Sequence, residues 1–301
     1  MFCEKKETLV IFHAGSLAQP MADLAFNFQE KYPDIEIKRE AAGSRETARK
    51  ISELFRTADV VAVSDYLVVE DLLMPDHTDW YIKFARNRMV IAFTEKSLYA
   101  SEITADNWYK VLTRGDVRFG RSDENLDPCG YRTLMVWQLA DLYYEEKING
   151  NSIYQHLNEH CPVNNIRPSE IELLPLLESL SLDYAFEYLS IAVQHRLRYI
   201  ELPEEIDLSN PRLDTLYRRA KVKITGKKRG KFHEVYGTPI VYAITIPRDA
   251  PNRKAALDFV RFLLSEEGNR IMEKNGQPPI IPPKASNMES IPEELRNLCD
   301  D

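Results

Sequence analysis

The first 65 residues alternate strand-like apolar runs with segments whose apolar residues recur at helical spacing. This alternation restricts the fold more than any other feature. Strands are predicted at residues 8–12, 35–39 and 58–63, and helices at 17–28 and around 51–55. The third strand is apolar at all but one position, which is typical of a parallel sheet covered on both faces. The order strand-helix-strand-helix-strand predicts right-handed crossovers in a doubly wound α/β lobe.

The remainder of the chain continues in the same style. At roughly 150 residues per domain, 301 residues correspond to about two domains. A long helix at 252–275 is predicted to break near Gly268, and the proline-rich tail from Pro278 is predicted to run over the surface. The other predicted strands and helices lie at residues 88–93, 133–147, 173–180, 183–188 and 239–246.

Two Gly-Ser pairs occupy matching positions, each where a predicted strand gives way to a helix. They are Gly15-Ser16 and Gly43-Ser44. In a parallel sheet both turns lie at the carboxyl ends of their strands, where ligands bind. Unpaired backbone N–H groups and serine hydroxyls there can bind a compact oxyanion without Lys or Arg. The alternative is that both serines are ordinary helix N-caps.

The charge balance narrows the classes of partner. Lys and Arg number 39 and Asp and Glu 47, a net charge of −8. Nonspecific nucleic-acid binding depends on clustered cations and is therefore not expected. No run approaches the roughly 20 apolar residues that span a bilayer. No signal peptide is visible, so the chain is either cytosolic or has lost its targeting segment.

The four cysteines are too few for a disulfide-rich scaffold. Cys3 is either an ordinary terminal residue or the remnant of a lipid-modified N-terminus. His156 and His160, with Cys161 adjacent, have spacing that allows a metal site, but an exposed helix face or loop is the favoured interpretation. Dinucleotide-binding and P-loop glycine motifs are absent from the sequence.

Ten collinear segments resemble one family, the molybdate/tungstate-binding proteins of ABC importers, in particular the archaeal-type tungstate/molybdate receptors. They cover nearly the whole chain, and the likeness is strongest at residues 127–132. The segments are 12–17 (FHAGSL), 40–44 (EAAGS), 58–66 (ADVVAVSDY), 118–120 (RFG), 127–132 (DPCGYR), 182–188 (LDYAFEY), 201–207 (ELPEEID), 237–242 (GTPIVY), 246–248 (IPR) and 265–268 (SEEG).

The resemblance implies an α/β fold of the periplasmic-binding-protein type (type II), with two doubly wound lobes and the ligand cleft between them. Residues 1–84 and 246–301 are expected to form the first lobe, and residues 85–245 the second. The two lobes would thus bind one ligand together rather than act as two independent domains.

The resemblance also implies the residues of the site. Ser16 and Ser44 are expected to bind oxyanion oxygens, and the carboxylates of Asp127 and Glu187 to reach the metal centre of the oxyanion. Mo(VI) and W(VI) are hard centres that accept oxygen ligands, so two added carboxylate oxygens make the anion six-coordinate. Without the resemblance, the favoured interpretations are a turn residue before Pro128 for Asp127 and a surface charge at a strand end for Glu187.

Further oxyanion-binding candidates are Ser64 at the end of the third strand, the backbone N–H groups near Cys129 and Gly130, and Tyr188 beside Glu187. The expected ligand is molybdate or tungstate, since the two are nearly equal in size and charge. No cofactor is expected.

The expected protein is an extracytoplasmic solute receptor, periplasmic or at the cell surface, and not an enzyme. Its partners would be the permease and ATPase subunits of an importer, with membrane attachment only through a lipid at Cys3, and it would be a monomer. One alternative is a receptor for sulfate or phosphate, against which two carboxylates argue by repulsion. Another is an enzyme that uses Asp127 and Glu187 as an acid/base pair.

Overall fold

A computed structural model describes residues 7–148, 150–228 and 230–300. Cys3, the candidate site of lipid attachment, lies outside the described residues. The strands are β1 (Glu7–Ala14), β2 (Ile35–Ala42), β3 (Val60–Val63), β4 (Ile82–Arg86), β5 (Met89–Phe93), β6 (Phe119–Ser122), β7 (Ile166–Arg167), β8 (Tyr184–Tyr188), β9 (Arg198–Glu201), β10 (Lys221–Thr225), β11 (Phe232–Tyr236), β12 (Val241–Thr245) and β13 (Pro279–Ala285).

The helices alternate with these strands through most of the chain. Short 3-10 helices occupy Gly15–Leu17, Val163–Asn165, Glu170–Leu173 and Pro211–Leu213, and a π-helical turn occupies Val69–Leu73. The α-helices are α1 (Ala18–Lys31), α2 (Ser44–Ser52), α3 (Tyr66–Val68), α4 (Trp108–Leu112), α5 (Pro128–Tyr143), α6 (Glu145–Ile148), α7 (Ile153–His160), α8 (Leu174–Glu178), α9 (Leu189–Gln194), α10 (Asp214–Tyr217), α11 (Arg253–Leu263), α12 (Glu266–Lys274) and α13 (Glu293–Arg296).

The chain divides into two compact units. The first unit combines the residues up to Arg86 with those from Val241 onward, and the second unit is Asn87–Ile240. Each unit has a mixed β-sheet of its own. Among the described helices, none combines the length and the apolar character needed to cross a membrane.

The first unit is built on a six-stranded sheet in the order β13-β4-β12-β3-β1-β2. Strand β1 pairs in parallel with both β2 and β3, which confirms the doubly wound arrangement predicted for the first 65 residues. The strands contributed by the C-terminal part of the chain, β12 and β13, pair antiparallel with their neighbours. Sequence-distant segments therefore complete the sheet that the N-terminal segments begin.

Helix α1 packs through the apolar stripe predicted for it. Met21, Leu24 and Phe28 are fully buried, and the Phe28 ring meets those of Phe259 and Phe262 on α11 at centroid distances of 5.4 and 5.8 Å. Burying a side chain of this size contributes roughly 1.5–3 kcal/mol. This packing stabilises the helix whose N-terminal end adjoins the Ser16 turn.

The second unit contains a five-stranded sheet in the order β7-β6-β8-β5-β9 and a separate hairpin of β10 and β11. In the hairpin, the charged residues of β10 alternate with Val222 and Ile224, and the strands pair antiparallel. Helix α5 is the central helix of this unit, since twelve of its sixteen residues are buried. The Trp137 ring on α5 contacts those of Phe119 and Phe186 on the sheet, at 6.2 and 5.5 Å.

The structure corrects one helix boundary and adds detail to the C-terminal part of the chain. Helix α5 begins at Pro128 and not at residue 133, because Asp127 caps it and Pro128 suits a first helical position. The tail from Pro278 begins with a half-exposed edge strand, β13 beside β4, which the sequence did not predict. The long C-terminal helix breaks near Gly268 as predicted, at Ser265, which caps α12. A Cβ at Gly268 would lie 2.1 Å from the carbonyl oxygen of Leu263, so glycine permits this close approach.

Candidate functional site

In the first unit, Ser16 and Ser44 lie beyond the ends of two adjacent parallel strands. Ala14 of β1 pairs with Ala42 of β2, and each serine follows two residues later. Both serines are fully buried. The helix N-caps are Ala14 and Gly43, neither of which caps through a side chain, so the interpretation of the serines as ordinary N-caps is wrong.

Ser44 and Ser64 contact each other directly. The Ser44 Oγ accepts a hydrogen bond from the backbone N–H of Ser64 at 3.0 Å and lies 3.0 Å from the Ser64 Oγ. Ser64 follows the last residue of β3 and is also fully buried. The structure therefore brings together two of the three serines that the sequence identified, at the carboxyl ends of β2 and β3.

Ser16 is held by two residues that the sequence analysis did not select. Tyr242 on β12 donates its hydroxyl hydrogen to the Ser16 Oγ at 3.0 Å. Gln277, which follows α12, donates from Nε2 to the Ser16 carbonyl oxygen at 2.8 Å. Both residues are fully buried. They lie more than 200 residues from Ser16 in the sequence, so no local pattern pointed to them.

His13 on β1 lies three residues before Ser16 and is neutral at neutral pH, whereas the buried guanidinium of Arg45, next to Ser44, pairs with the Asp71 carboxylate at 2.8 Å. Burial lowers the pKa of His13 to about 4, with smaller lowering contributions from the nearby Arg39 and Lys50 charges. The imidazole Nδ1 lies 2.8 Å from the carbonyl oxygen of Ala14. Hydroxyl and backbone groups, not an imidazolium, therefore provide the polar chemistry of this turn.

In the second unit, Asp127 is the N-cap of α5. Its Oδ1 accepts from the backbone N–H of Cys129 at 3.2 Å, and its Oδ2 from the backbone N–H of Glu170 at 3.1 Å. Burial raises the pKa of Asp127, although these hydrogen bonds partly oppose the shift. Asp127 is thus a buried capping carboxyl, rather than the simple turn residue considered as an alternative.

Glu187 lies within β8, opposite Val90 on β5, and is fully buried. The alternative interpretation of Glu187 as a surface charge is therefore wrong. Neither carboxylate oxygen has a hydrogen-bond partner among the residues that the structure describes. Burial raises the pKa of Glu187 well above its ordinary value, and repulsion from Glu170 and Asp127 raises it further.

Glu170 is a buried carboxyl group in addition to Asp127 and Glu187, and the sequence analysis missed it. It begins the 3-10 helix Glu170–Leu173 and is fully buried. Its charge contributes to raising the pKa of both Glu187 and Cys129. The carboxyl groups of Asp127, Glu170 and Glu187 therefore lie within electrostatic range of one another. A Ser-Glu pair after a proline is too common in loops to have identified it.

The remaining candidates of the second unit already have partners. The Cys129 backbone N–H donates to Asp127, and that of Gly130 donates to the Asp127 carbonyl oxygen at 3.0 Å. The Tyr188 hydroxyl accepts from Arg132 Nη1 at 2.8 Å. A Cβ at Gly130 would lie 2.5 Å from the Ser122 carbonyl oxygen, so glycine lets α5 approach the end of β6. Cys129 and Cys161 are both buried free thiols.

The two histidines of α7 stack on each other, and the His160 ring bonds to the backbone. The His160 Nδ1 lies 2.8 Å from the His156 carbonyl oxygen, and the two rings stack with centroids 6.1 Å apart. Across residues 7–148, 150–228 and 230–300, no group of three or more His, Cys, Asp or Glu side chains is arranged to hold a metal ion.

Comparisons with known proteins agree with this architecture. The family model for bacterial extracellular solute-binding proteins matches residues 9–277. The molybdate/tungstate-binding protein WtpA of Pyrococcus abyssi is 45% identical, covering 99% of this chain and 91% of the relative. A solute-binding protein of Petrotoga mobilis is 48% identical, covering 96% of this chain and 89% of the relative.

Two solved structures share the fold at low sequence identity. The periplasmic molybdate-binding protein of Azotobacter vinelandii has a TM-score of 0.61 at 15% identity, covering 89% of this chain and 98% of its own. The sulfate-binding protein SubI of Mycobacterium tuberculosis H37Rv has a TM-score of 0.64 at 12% identity, covering 92% and 88%. The chain therefore belongs to the family of bacterial extracellular solute-binding proteins and has the α/β fold of periplasmic binding proteins.

Proposed function

We propose that this protein captures molybdate or tungstate outside the cytoplasm and delivers it to an ABC importer. The observation that carries the proposal is Glu187, a fully buried carboxyl group whose two oxygens have no hydrogen-bond partner in the described part of the chain. The names of the WtpA relatives of Pyrococcus abyssi and Thermococcus kodakarensis, 45% and 44% identical, point to the same ligand class.

The hydroxyl-lined turns of the first unit suit the oxygens of an oxyanion. Ser16, Ser44 and Ser64 are buried at the carboxyl ends of three neighbouring strands. Their hydroxyls, together with nearby backbone N–H groups, can donate hydrogen bonds to an oxyanion without requiring Lys or Arg as a ligand. This explains how a chain of net charge −8 binds a dianion.

The carboxyl groups of the second unit suit the metal centre of the same anion. Burying an ionised carboxylate without a partner is costly, and the cost falls when the oxygens coordinate a hard, electron-poor centre. Asp127 and Glu187 would each supply one oxygen to Mo(VI) or W(VI) and complete six-coordination. Cys129, through its backbone, and Tyr188 belong to the shell around these two residues.

This arrangement selects against the commoner oxyanions. Sulfate and phosphate have no comparable tendency to expand their coordination shell, so toward them two carboxylates act only as repulsive charges. Specificity then comes from the penalty on the wrong ligand as much as from attraction to the right one.

Capture would work by closure of two lobes on the ligand. In this proposal, the two lobes are the compact units described above, the residues up to Arg86 with those from Val241 onward and Asn87–Ile240. An anion that binds residues of both lobes stabilises the closed form by its higher affinity for that form. The receptor acts as a monomer that docks on the permease and ATPase subunits, and it catalyses no reaction.

Titration calorimetry with tungstate, molybdate, sulfate and phosphate tests the proposal. We expect tight binding of the first two anions and no measurable heat with the others. Tight sulfate or phosphate binding without a response to tungstate would overturn it. X-ray absorption at the tungsten edge of the complex then counts the oxygens around the metal, with six expected and four contradicting the coordination by Asp127 and Glu187.

A further inference from the structure

We propose that Tyr242 and Gln277 are positioning residues that hold Ser16 as a hydrogen-bond donor toward the bound oxyanion. The inference rests on the proposed function and adds two residues to it. Both residues belong to the first unit, in the part that the C-terminal segment of the chain supplies.

The hydroxyl of Tyr242 determines what the Ser16 hydroxyl does. A serine hydroxyl has one hydrogen to donate and lone pairs to accept with. Because the Ser16 Oγ accepts from Tyr242 at 3.0 Å, its own hydrogen is directed to an acceptor elsewhere. An oxyanion offers only acceptors, so a serine committed to donating is the form that binds it.

Tyr242 is itself held rigidly. It lies on β12, which is flanked by β3 and β4 within the six-stranded sheet. Its side chain is fully buried, and its ring meets the Phe84 ring edge-on at a centroid distance of 6.2 Å. The phenol therefore presents its oxygen to Ser16 from a fixed position, and little conformational entropy is lost when the ligand binds.

Gln277 fixes the backbone of the same turn. Its Nε2 donates to the Ser16 carbonyl oxygen at 2.8 Å, and its own backbone N–H donates to the Met272 carbonyl oxygen at 3.1 Å. The Gln277 Oε1 is buried without a hydrogen-bond partner in the described residues. An apolar side chain would fill this space without that cost, so the useful part of the amide is the bond from Nε2 to the turn.

A double-mutant cycle separates positioning through Ser16 from a general structural role. The variants are Tyr242→Phe, Ser16→Ala and the double variant, with tungstate Kd measured by calorimetry and thermal unfolding of each ligand-free protein. We expect Tyr242→Phe to raise Kd roughly three- to tenfold, the net effect of one hydrogen bond. In the Ser16→Ala background the same change should alter Kd by less than about twofold.

Tyr217→Phe is the matched control. Tyr217 is equally buried, and its hydroxyl donates to the Glu204 carbonyl oxygen and accepts from the Asn210 backbone N–H, all in the second unit. Losing this hydroxyl should change the unfolding temperature but not the tungstate Kd. Gln277→Met supplies a second cycle with Ser16→Ala, with the same expected loss of effect in the double variant.

The outcomes distinguish this inference from the proposed function. If Tyr242→Phe and Gln277→Met leave Kd unchanged, or raise it by the same factor with and without Ser16, the positioning role is overturned while the function stands. If the wild-type protein binds none of tungstate, molybdate, sulfate and phosphate, the proposed function fails and the positioning role fails with it.

Discussion

The two units of this molecule offer opposite chemistry. The first unit presents neutral donors at the ends of three strands, namely the hydroxyls of Ser16, Ser44 and Ser64. The second buries acidic acceptors, of which Glu187 has no hydrogen-bond partner in the described residues. Donors alone would suit any oxyanion, whereas acceptors alone would repel all of them. Under the proposed function, this contrast would divide recognition between the outer oxygens of an anion and the atom at its centre.

The division also separates affinity from selectivity. Changes to the serines are expected to weaken every oxyanion alike, because all such anions carry similar oxygens. Changes to the carboxyl groups are expected to alter which anion is preferred, because only a metal centre gains from added ligands.

The largest expected effect comes from removing the acidic chemistry without changing its shape. Asp127→Asn combined with Glu187→Gln should raise the tungstate Kd at least about 100-fold, or about 2.7 kcal/mol. Calorimetry measures the change, and Glu234→Gln on the exposed hairpin is the control. If the double variant stays within about threefold of the wild type, roughly 0.7 kcal/mol, metal coordination by these residues is wrong.

Removing donors from the first unit should give the next largest effect. Ser16→Ala and Ser44→Ala should each raise the Kd of tungstate and molybdate about 10- to 100-fold, the range for a hydrogen bond to a charged group. Competition calorimetry with both anions should find their ratio unchanged. A serine variant that changes the preference among anions more than it changes the affinity would contradict the assignment of affinity to the serines and selectivity to the carboxyl groups.

The direction in which tungstate affinity changes with pH tests whether the carboxyl groups of the second unit bind the anion in their ionised form. Burial raises the pKa of Asp127 and Glu187, so in the ligand-free protein these groups keep their protons to higher pH. Coordination needs the ionised form, and therefore affinity should rise with pH by up to about tenfold per unit for each proton released. A receptor of the sulfate type needs the protonated groups instead, so its affinity would fall as pH rises.

The smallest expected effect is on stability. A carboxyl whose pKa is raised on folding binds more protons when folded, so its contribution is present below about pH 4 and is lost as pH rises toward the folded pKa. Glu187→Gln should therefore stabilise the ligand-free protein by about 1 kcal/mol at pH 8 and less at pH 5. Thermal unfolding at both pH values measures this, with Glu234→Gln as control. Destabilisation by Glu187→Gln at pH 8 would mean that the Glu187 carboxylate has a favourable partner.

Much of the fold followed from local sequence patterns, and the misses have physical causes. The apolar stripe through Met21 and Phe28 identified helix α1, and the apolar run at residues 58–63 identified the parallel strand β3. Strand β13 was missed because proline usually marks an irregular surface segment, yet proline is tolerated in an edge strand such as this one. The start of α5 was placed too late, because the apolar periodicity begins after the Asp127 cap.

The candidate site divides in the same way. Motifs of neighbouring residues identified Ser16 and Ser44, and the family resemblance added Asp127 and Glu187. Glu170 was missed because its loop carries no distinctive pattern. Tyr242 and Gln277 were missed because their bonds to Ser16 span 226 and 261 residues of sequence.

The sequence by itself determined the α/β class, the Gly-Ser turns at strand ends and the family, since these depend on residue periodicity and short collinear motifs. Only the tertiary structure decided which groups are buried, which of them have partners and what holds Ser16. Burial and long-range hydrogen bonds depend on segments that meet only after folding. The sequence shows that residue 187 is a glutamate. Only the folded second unit shows that its carboxylate oxygens have no hydrogen-bond partner among the described residues.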